Sequence, residues 1–243
     1  MEDERMMRLD KFLCETGFGS RSQVKELLKK GQVTVNGVAA KKPEQKIDEH
    51  KDQIICQGKT ASYEKYVYYM LHKPAGVVSA TEDKREKTVL DLLKPEDRRD
   101  GIFPVGRLDK DTEGFLLLTD DGDLAHRLLS PRKHVDKTYY AKIAGSVVET
   151  HIERFREGLD IGDEKKTLPA VLEILTSGSE TSEIRITIHE GRFHQVKRMF
   201  EAVGCKVTYL KRLSMGAVAL DETLAPGDYR PLNEKERELL GIS

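Results

Sequence analysis

The stretch "GRLDKDTEG", Gly106 to Gly114, places three carboxylates and two cations within nine residues. Apolar runs flank it, "GIFPV" before and "FLLLT" after, so this charge sits between segments headed for a core. Three chemistries suit such a cluster. The first is a calcium loop. Asp109 to Asp120 nearly matches D-x-[DN]-x-[DN]-G-x₅-E with Gly114 in sixth place, but Glu113 and Asp120 deviate at two ligand positions. A calcium loop of that kind also needs helices on both sides, whereas Pro104 and Gly106 break any helix before it and "FLLL" reads as a buried strand. The second is magnesium held by Asp109 and Asp111, for which Arg107 and Lys110 would compete and no third acidic ligand lies nearby. The third is a single reactive carboxylate held among cations, since a nearby Arg or Lys favours the ionised form that a nucleophile or base requires. The cluster alone also fits a tight loop whose charges pair only with one another.

Six strand-like runs surround the cluster: "VYYMLHK", "GFLLLT", "KTYYAKIAGSV", "AVLEILT", "EIRITIHE" and "CKVTYLKRL". Helix-like runs, "VVETHIERFREGL" and "FHQVKRMFEAVG", are interspersed, and Val196, Met199, Phe200 and Val203 form an apolar helical stripe. Short turns such as "TSGSET" join several strands. This pattern predicts an α+β domain on a largely antiparallel sheet rather than repeated βαβ units. The absence of a glycine-rich phosphate loop or dinucleotide fingerprint argues against a nucleotide cofactor. His189 and His194 lack a third ligand or cysteine partner, so structural hydrogen bonding is the expected role for both.

Upstream, the sequence changes character. The 243-residue chain carries 41 Lys+Arg against 42 Asp+Glu, yet Arg5 to Lys46 holds ten basic residues and only four acidic ones. Leu9, Phe12 and Leu13 have helical spacing, and "GFG" at Gly17–Gly19 breaks that helix. Ser20 with Gln23 makes a capping-box pattern, so a second helix should start at Arg21 and end at Gly31. Arg21, Lys25 and Lys29 then form a basic stripe opposite Val24, Leu27 and Leu28. "QVTVNGVAA" alternates into an Asn36-Gly37 hairpin turn. "QGKTAS" reads as a small-residue linker, which predicts domains over 1–60 and 61–243. The three cysteines are far apart and odd in number, as expected of free thiols in a reducing cytoplasm. No apolar run of 18 residues occurs and the N-terminus is charged, which argues against a membrane span and a secretory signal.

"MRLDKFLCETGFGSRSQVKELLKKGQVTVNG" resembles the S4 RNA-binding module nearly end to end. The resemblance implies that the helix pair and hairpin grip folded RNA mainly through phosphates, with Arg8, Arg21, Lys25 and Lys29 as contacts. The whole chain in turn resembles the RsuA-type pseudouridine synthases, which carry an S4 module ahead of a catalytic domain. The matching stretches are "HKPAGVVSAT", "PVGRLDKDTEGFLLLTDDGDLAHRLLSP", "KTYYAKI", "KTLPAVLEILT", "EGRFHQVKRMFEAVG" and "LAPGDYRPL", in that order. "MRLDKF" and "KTLPAVLEILT" look closest to the branch acting on small-subunit (16S) rRNA, with the large-subunit (23S) branch as the alternative. The resemblance implies uridine isomerisation without a cofactor or metal, with Asp109 as the reacting carboxylate. Tyr139 should pack against the target base and Lys197 should pair with Asp109, Arg198 being the alternative partner and otherwise an RNA contact. Arg107 should help hold RNA around a flipped nucleotide. A soluble, cytoplasmic monomer acting on rRNA or a small-subunit particle is expected. A non-catalytic RNA-binding or ribosome-assembly factor on the same fold is the competing reading.

Overall fold

The structure is a computed structural model that describes residues 6–49, 51–61, 65–130 and 133–242. It divides into two compact units, Met1–Lys65 and Tyr66–Ser243. Arg5 of the basic segment, and Ser62 and Tyr63 at the expected linker, lie outside the described residues.

In the first unit, β1 (Met7–Arg8) leads into α1 (Leu9–Glu15) and α2 (Arg21–Lys29). The capping box forms as the sequence suggested: the Ser20 amide donates to Gln23 Oε1 at 2.8 Å, and the Gln23 amide donates to Ser20 Oγ at 3.5 Å. There follow β2 (Val33–Val35), β3 (Val38–Ala39), β4 (Lys46–Ile47), β5 (Ile54–Cys56) and β6 (Lys59–Ala61). Asn36 and Gly37 take the positive φ values, 51° and 79°, that the tight β2–β3 turn requires. Leu9, Phe12, Leu13, Val24 and Leu28 bury against Val33, Ile54 and Cys56. One expectation fails here. "QGKTAS" is not a linker, because Gln57 and Gly58 (φ 52° and 76°) turn the chain and Lys59–Ala61 pairs back onto Ile54–Cys56. Small residues suggested a tether where the Gln-Gly step was a hairpin turn.

The second unit contains β7 (Tyr68–Lys73), β8 (Phe103–Pro104), β9 (Glu113–Thr119), α3 (Gly122–Leu129) and β10 (Lys137–Ala144). Then come α4 (Glu149–Glu157), β11 (Val171–Ser177), β12 (Thr181–Ile188), α5 (Gln195–Glu201), β13 (Lys206–Met215), β14 (Val218–Ala219), β15 (Tyr229–Pro231) and α6 (Glu234–Leu239). The sheet runs β11-β12-β10-β13-β9-β7-β15, and every neighbouring pair is antiparallel except β13 with β9. Both sheet faces are covered around β9. Leu116 and Leu118 pack in the cluster with Phe155 and Phe200 of α4 and α5, while Phe115 and Leu117 pack with Leu124 of α3 and Leu240. Burial on both sides explains a continuous apolar run where a one-faced strand would alternate.

At the parallel seam, Gly114 opposes Arg212 with φ 106°, and a Cβ there would lie 2.2 Å from the Arg212 carbonyl oxygen. Only glycine fits such a close approach. The seam fixes the start of β9, and hence the charged loop before it. The calcium alternative is overturned by the same strand. Asp120, its twelfth position, lies beyond the far end of β9, accepting from the Val67 amide at 2.8 Å and pairing with Arg99 at 3.2 Å.

Candidate active site

The loop between Pro104 and β9 is held from beneath by the "HKPAGVVSAT" segment. Lys73, fully buried at the end of β7, donates to the carbonyls of Thr112 (2.8 Å), Asp109 and Pro74 (both 3.0 Å), with Lys110 O at 3.4 Å. Burial pushes its pKa down to about 8. Ser79 Oγ donates to Leu108 O at 2.9 Å and accepts from the Leu108 amide at 3.0 Å, and the Gly76 amide donates to Lys110 O at 2.7 Å. The loop's backbone is thus tied on both sides of Asp109.

The side chains of the loop find a partner on α5. Lys197 Nζ lies 2.9 Å from Asp109 Oδ2 and 2.6 Å from Asp111 Oδ1. Burial pulls the Lys197 pKa down, but hydrogen bonds to Asp111 and Asp109, with their charges, leave it above the usual lysine value. Asp111 is held below the ordinary carboxylate range, chiefly by its hydrogen bond from Lys197. Lys110, which the sequence suggested as a competitor for these carboxylates, instead reaches Glu86 at 2.7 Å. His194 Nε2 lies 3.4 Å from Asp109 Oδ1, and its ring stacks on Phe193 at 3.7 Å. His194 caps α5 in the left-handed region (φ 48°, ψ 33°), a strained choice for a non-glycine residue and common at functional sites. The turn before it is braced by Gln195, which accepts from the Arg192 amide at 3.0 Å and donates to Glu190 at 3.0 Å.

Above these groups opens a cleft of about 590 Å³, lined by Arg107, Asp109, Tyr139, Phe193, His194 and Arg212 among others. A smaller pocket of about 70 Å³ adjoins it and takes in Lys197 and Thr112. A carboxylate with one fixed cation and a free approach from a cleft suits nucleophilic or base chemistry on a ligand that enters the cleft.

Residues 67–202 match the family model described as RNA pseudouridylate synthase, and residues 7–54 match the S4 domain. The chain belongs to the RNA pseudouridylate synthase family. Over 96% of its length this synthase is 51% identical to a Bacillus subtilis protein named uncharacterized RNA pseudouridine synthase YtzG, covering 98% of that protein. It is 45% identical to the ribosomal small subunit pseudouridine synthase A of Vibrio cholerae over 95% of this chain and 97% of the relative. The enzyme of that name from Escherichia coli K12 is 41% identical, with 95% and 98% covered. A crystal structure of a pseudouridylate synthase superposes with a TM-score of 0.67 at 38% identity, covering 96% of this chain and 99% of that one.

Within this synthase the structure brings Asp109, Tyr139, Lys197 and Arg107 to one place. Tyr139 is 7% exposed on β10 and lines both parts of the cleft, and Arg107 is exposed at its edge. Arg198 goes elsewhere. Its guanidinium holds Asp163 at 2.5 Å and donates to Phe193 O at 3.1 Å, so it braces a loop and is not the partner of Asp109. In the first unit, Arg8 forms a two-point contact with Asp10 at 2.7 and 3.0 Å. Arg21, Lys25 and Lys29 are exposed on α2, with Lys29 3.5 Å from Glu26. His189 makes the expected structural contact, 2.7 Å to Asp136, whereas His194 stands against Asp109 rather than in a purely structural role. Sequence reasoning missed Lys73 and Arg212 altogether.

Proposed function

We propose that this enzyme isomerises a specific uridine of small-subunit ribosomal RNA, with Asp109 as the reacting carboxylate. The observation that carries the proposal is the Lys197–Asp109 pair at 2.9 Å, exposed to a cleft whose floor includes Tyr139. In the reaction the C1′–N1 bond breaks, uracil turns, C5 bonds to C1′, the C5 hydrogen leaves as a proton and N1 gains one. No electrons are gained or lost, so the balance needs no oxidant, reductant or nucleotide cofactor. Asp109 serves by adding reversibly to sugar or ring, or by taking a ribose proton. Tyr139 packs on the flipped base, Lys197 holds the carboxylate by a point-charge contact and Arg107 holds RNA at the cleft edge. The first unit binds RNA through Arg8 and the α2 stripe, with Arg198 as a further contact near the cleft. The enzyme works in the cytoplasm as a monomer. The names of the Vibrio cholerae and Escherichia coli relatives favour the small subunit over the large.

Tritium release from [5-³H]uridine-labelled rRNA tests this, because pseudouridine and uridine have equal mass and loss of the C5 hydrogen marks the reaction. We expect release from small-subunit rRNA or its assembling particle without added nucleotide. Release confined to large-subunit rRNA would move the target. Binding without release from either would support an assembly factor instead.

A further inference from the structure

Two buried cations on the cleft floor have no part in the scheme above. Lys137 and Arg212 are 7% and 2% exposed, on the sheet face that carries Tyr139, and Arg212 is the cross-strand partner of Tyr139. Arg212 Nε donates to Phe115 O at 2.8 Å, but its Nη2 is buried with no hydrogen-bond partner among the described residues. Among the described residues Lys137 donates once, to Val135 O at 2.8 Å. Burial, and then the charge of Arg212, pull the Lys137 pKa below the usual lysine value. The carboxylates lining the same cleft are engaged elsewhere. Asp109 is held by Lys197, Glu190 by Arg192 and the Leu168 amide, and Asp83 by the amides of Arg85 and Glu86. A buried donor without an acceptor is costly, so the acceptor is expected on the ligand.

We propose that Arg212, supported by Lys137, reads the target base by donating a hydrogen bond to a carbonyl oxygen of uracil. This rests on the isomerase reading of the cleft. A flipped nucleotide enters base first, because its phosphates remain joined to the rest of the RNA at the mouth. The floor therefore meets the polar edge of the ring. Uracil carries oxygens at C2 and C4, and cytosine replaces the second with an amino group. Turning the ring about its N3–C6 axis exchanges N1 with C5, and C2 with C4. Uracil consequently offers a carbonyl to Arg212 both before and after the turn. Cytosine must present its amino group to two cationic donors in one of the two orientations. A site with unpaired donors rejects the ligand that lacks the acceptor. The competing role for Arg212 is a brace between Phe115 O and the β9–β13 seam.

The test first locates the modified uridine by carbodiimide mapping of the wild-type product on an rRNA fragment. Single-turnover rates are then compared on fragments carrying uridine, 2-thiouridine or 4-thiouridine there, sulfur being a poor acceptor. For the wild type we expect at least one thio substitution to slow the reaction on the order of tenfold. In Arg212→Met that ratio should shrink to within about twofold, and Arg212→Lys should keep part of it. The ratio is taken within one preparation, so a partly folded variant does not change it. An unchanged ratio in Arg212→Met would overturn the proposal and leave Arg212 as a brace. If that variant does not fold, Lys137→Met supplies the same ratio, and an unaltered value there would equally overturn it. Absence of wild-type product would defeat the isomerase reading itself, and this inference with it.

Discussion

The two units use the same residue types in opposite ways. On α2, Arg21, Lys25 and Lys29 stand in solvent, where Lys29 lies 3.5 Å from Glu26. In the second unit, Lys73 is wholly buried among carbonyls, Arg212 is 2% exposed, and Lys197 lies between two carboxylates. Exposed charges attract a polyanion over a Debye length and adapt to its shape, but salt screens them. Buried, hydrogen-bonded cations are little screened and fix geometry to fractions of an ångström. The first set suits capture of RNA and the second suits chemistry on one nucleotide.

The sharpest way to break this contrast is to remove a cation held between the site's carboxylates without touching the exposed ones. Lys197→Met should lower the single-turnover rate on the order of 10²-fold while RNA binding changes by only about twofold. Weakened binding with an unchanged rate would make Lys197 another phosphate contact and erase the distinction.

A smaller effect should appear with pH. Lys73 titrates near 8, below the value of about 10.4 for an exposed lysine. Below pH 8 both folded and unfolded states are protonated, and the folded state bears the burial penalty. As pH rises from 8 towards 10.4 the folded state loses its proton first, so this group's contribution to stability rises with pH. Activity should move the other way, because a neutral amine has fewer hydrogens for the same carbonyls and holds the Asp109 loop less firmly. Between pH 7.5 and 9.5 we expect the rate at saturating RNA to fall several-fold, with no matching loss of thermal stability from this group. Lys197 keeps its proton across this range, its pKa being raised. A flat rate profile would remove Lys73 from the account.

The smallest effect on chemistry belongs to the stripe. Replacing Arg21, Lys25 and Lys29 with Ala should weaken rRNA binding and flatten its log–log salt dependence by about 0.7–0.9 per lost contact. The rate at saturating RNA should hold within about twofold. Unchanged affinity and slope would make the stripe a solvated helix face.

Local features were legible in the sequence wherever local physics decides them. The capping box at Ser20, the turn at Asn36-Gly37 and the doubly buried "FLLL" could each be read from neighbouring residues. The Gln57-Gly58 turn was legible too, but the small residues after it drew the reading towards a linker. Residues meeting across long separations were not legible from spacing. Asp109 and Lys197 come together because β9 and α5 pack on one sheet, and only the family resemblance suggested the pair. Lys73, last in the strand-like run "VYYMLHK", looks like any strand-end lysine, since its partners are carbonyls and carbonyls leave no mark on composition. Arg212 did leave a signal. In "YLKRL" it shares a strand face with buried Leu210, and a charge on an apolar face needs a reason.

The central claim is that the Asp109 carboxylate reacts, and Asp109→Asn tests it most directly because the amide keeps size and shape. Single-turnover tritium release from [5-³H]uridine-labelled small-subunit rRNA should fall below detection in the variant. Its RNA affinity and salt dependence should match the wild type, since the first unit is untouched. Tritium release by Asp109→Asn at a rate comparable to the wild type would contradict the account and leave the Lys197–Asp109 pair a structural tie.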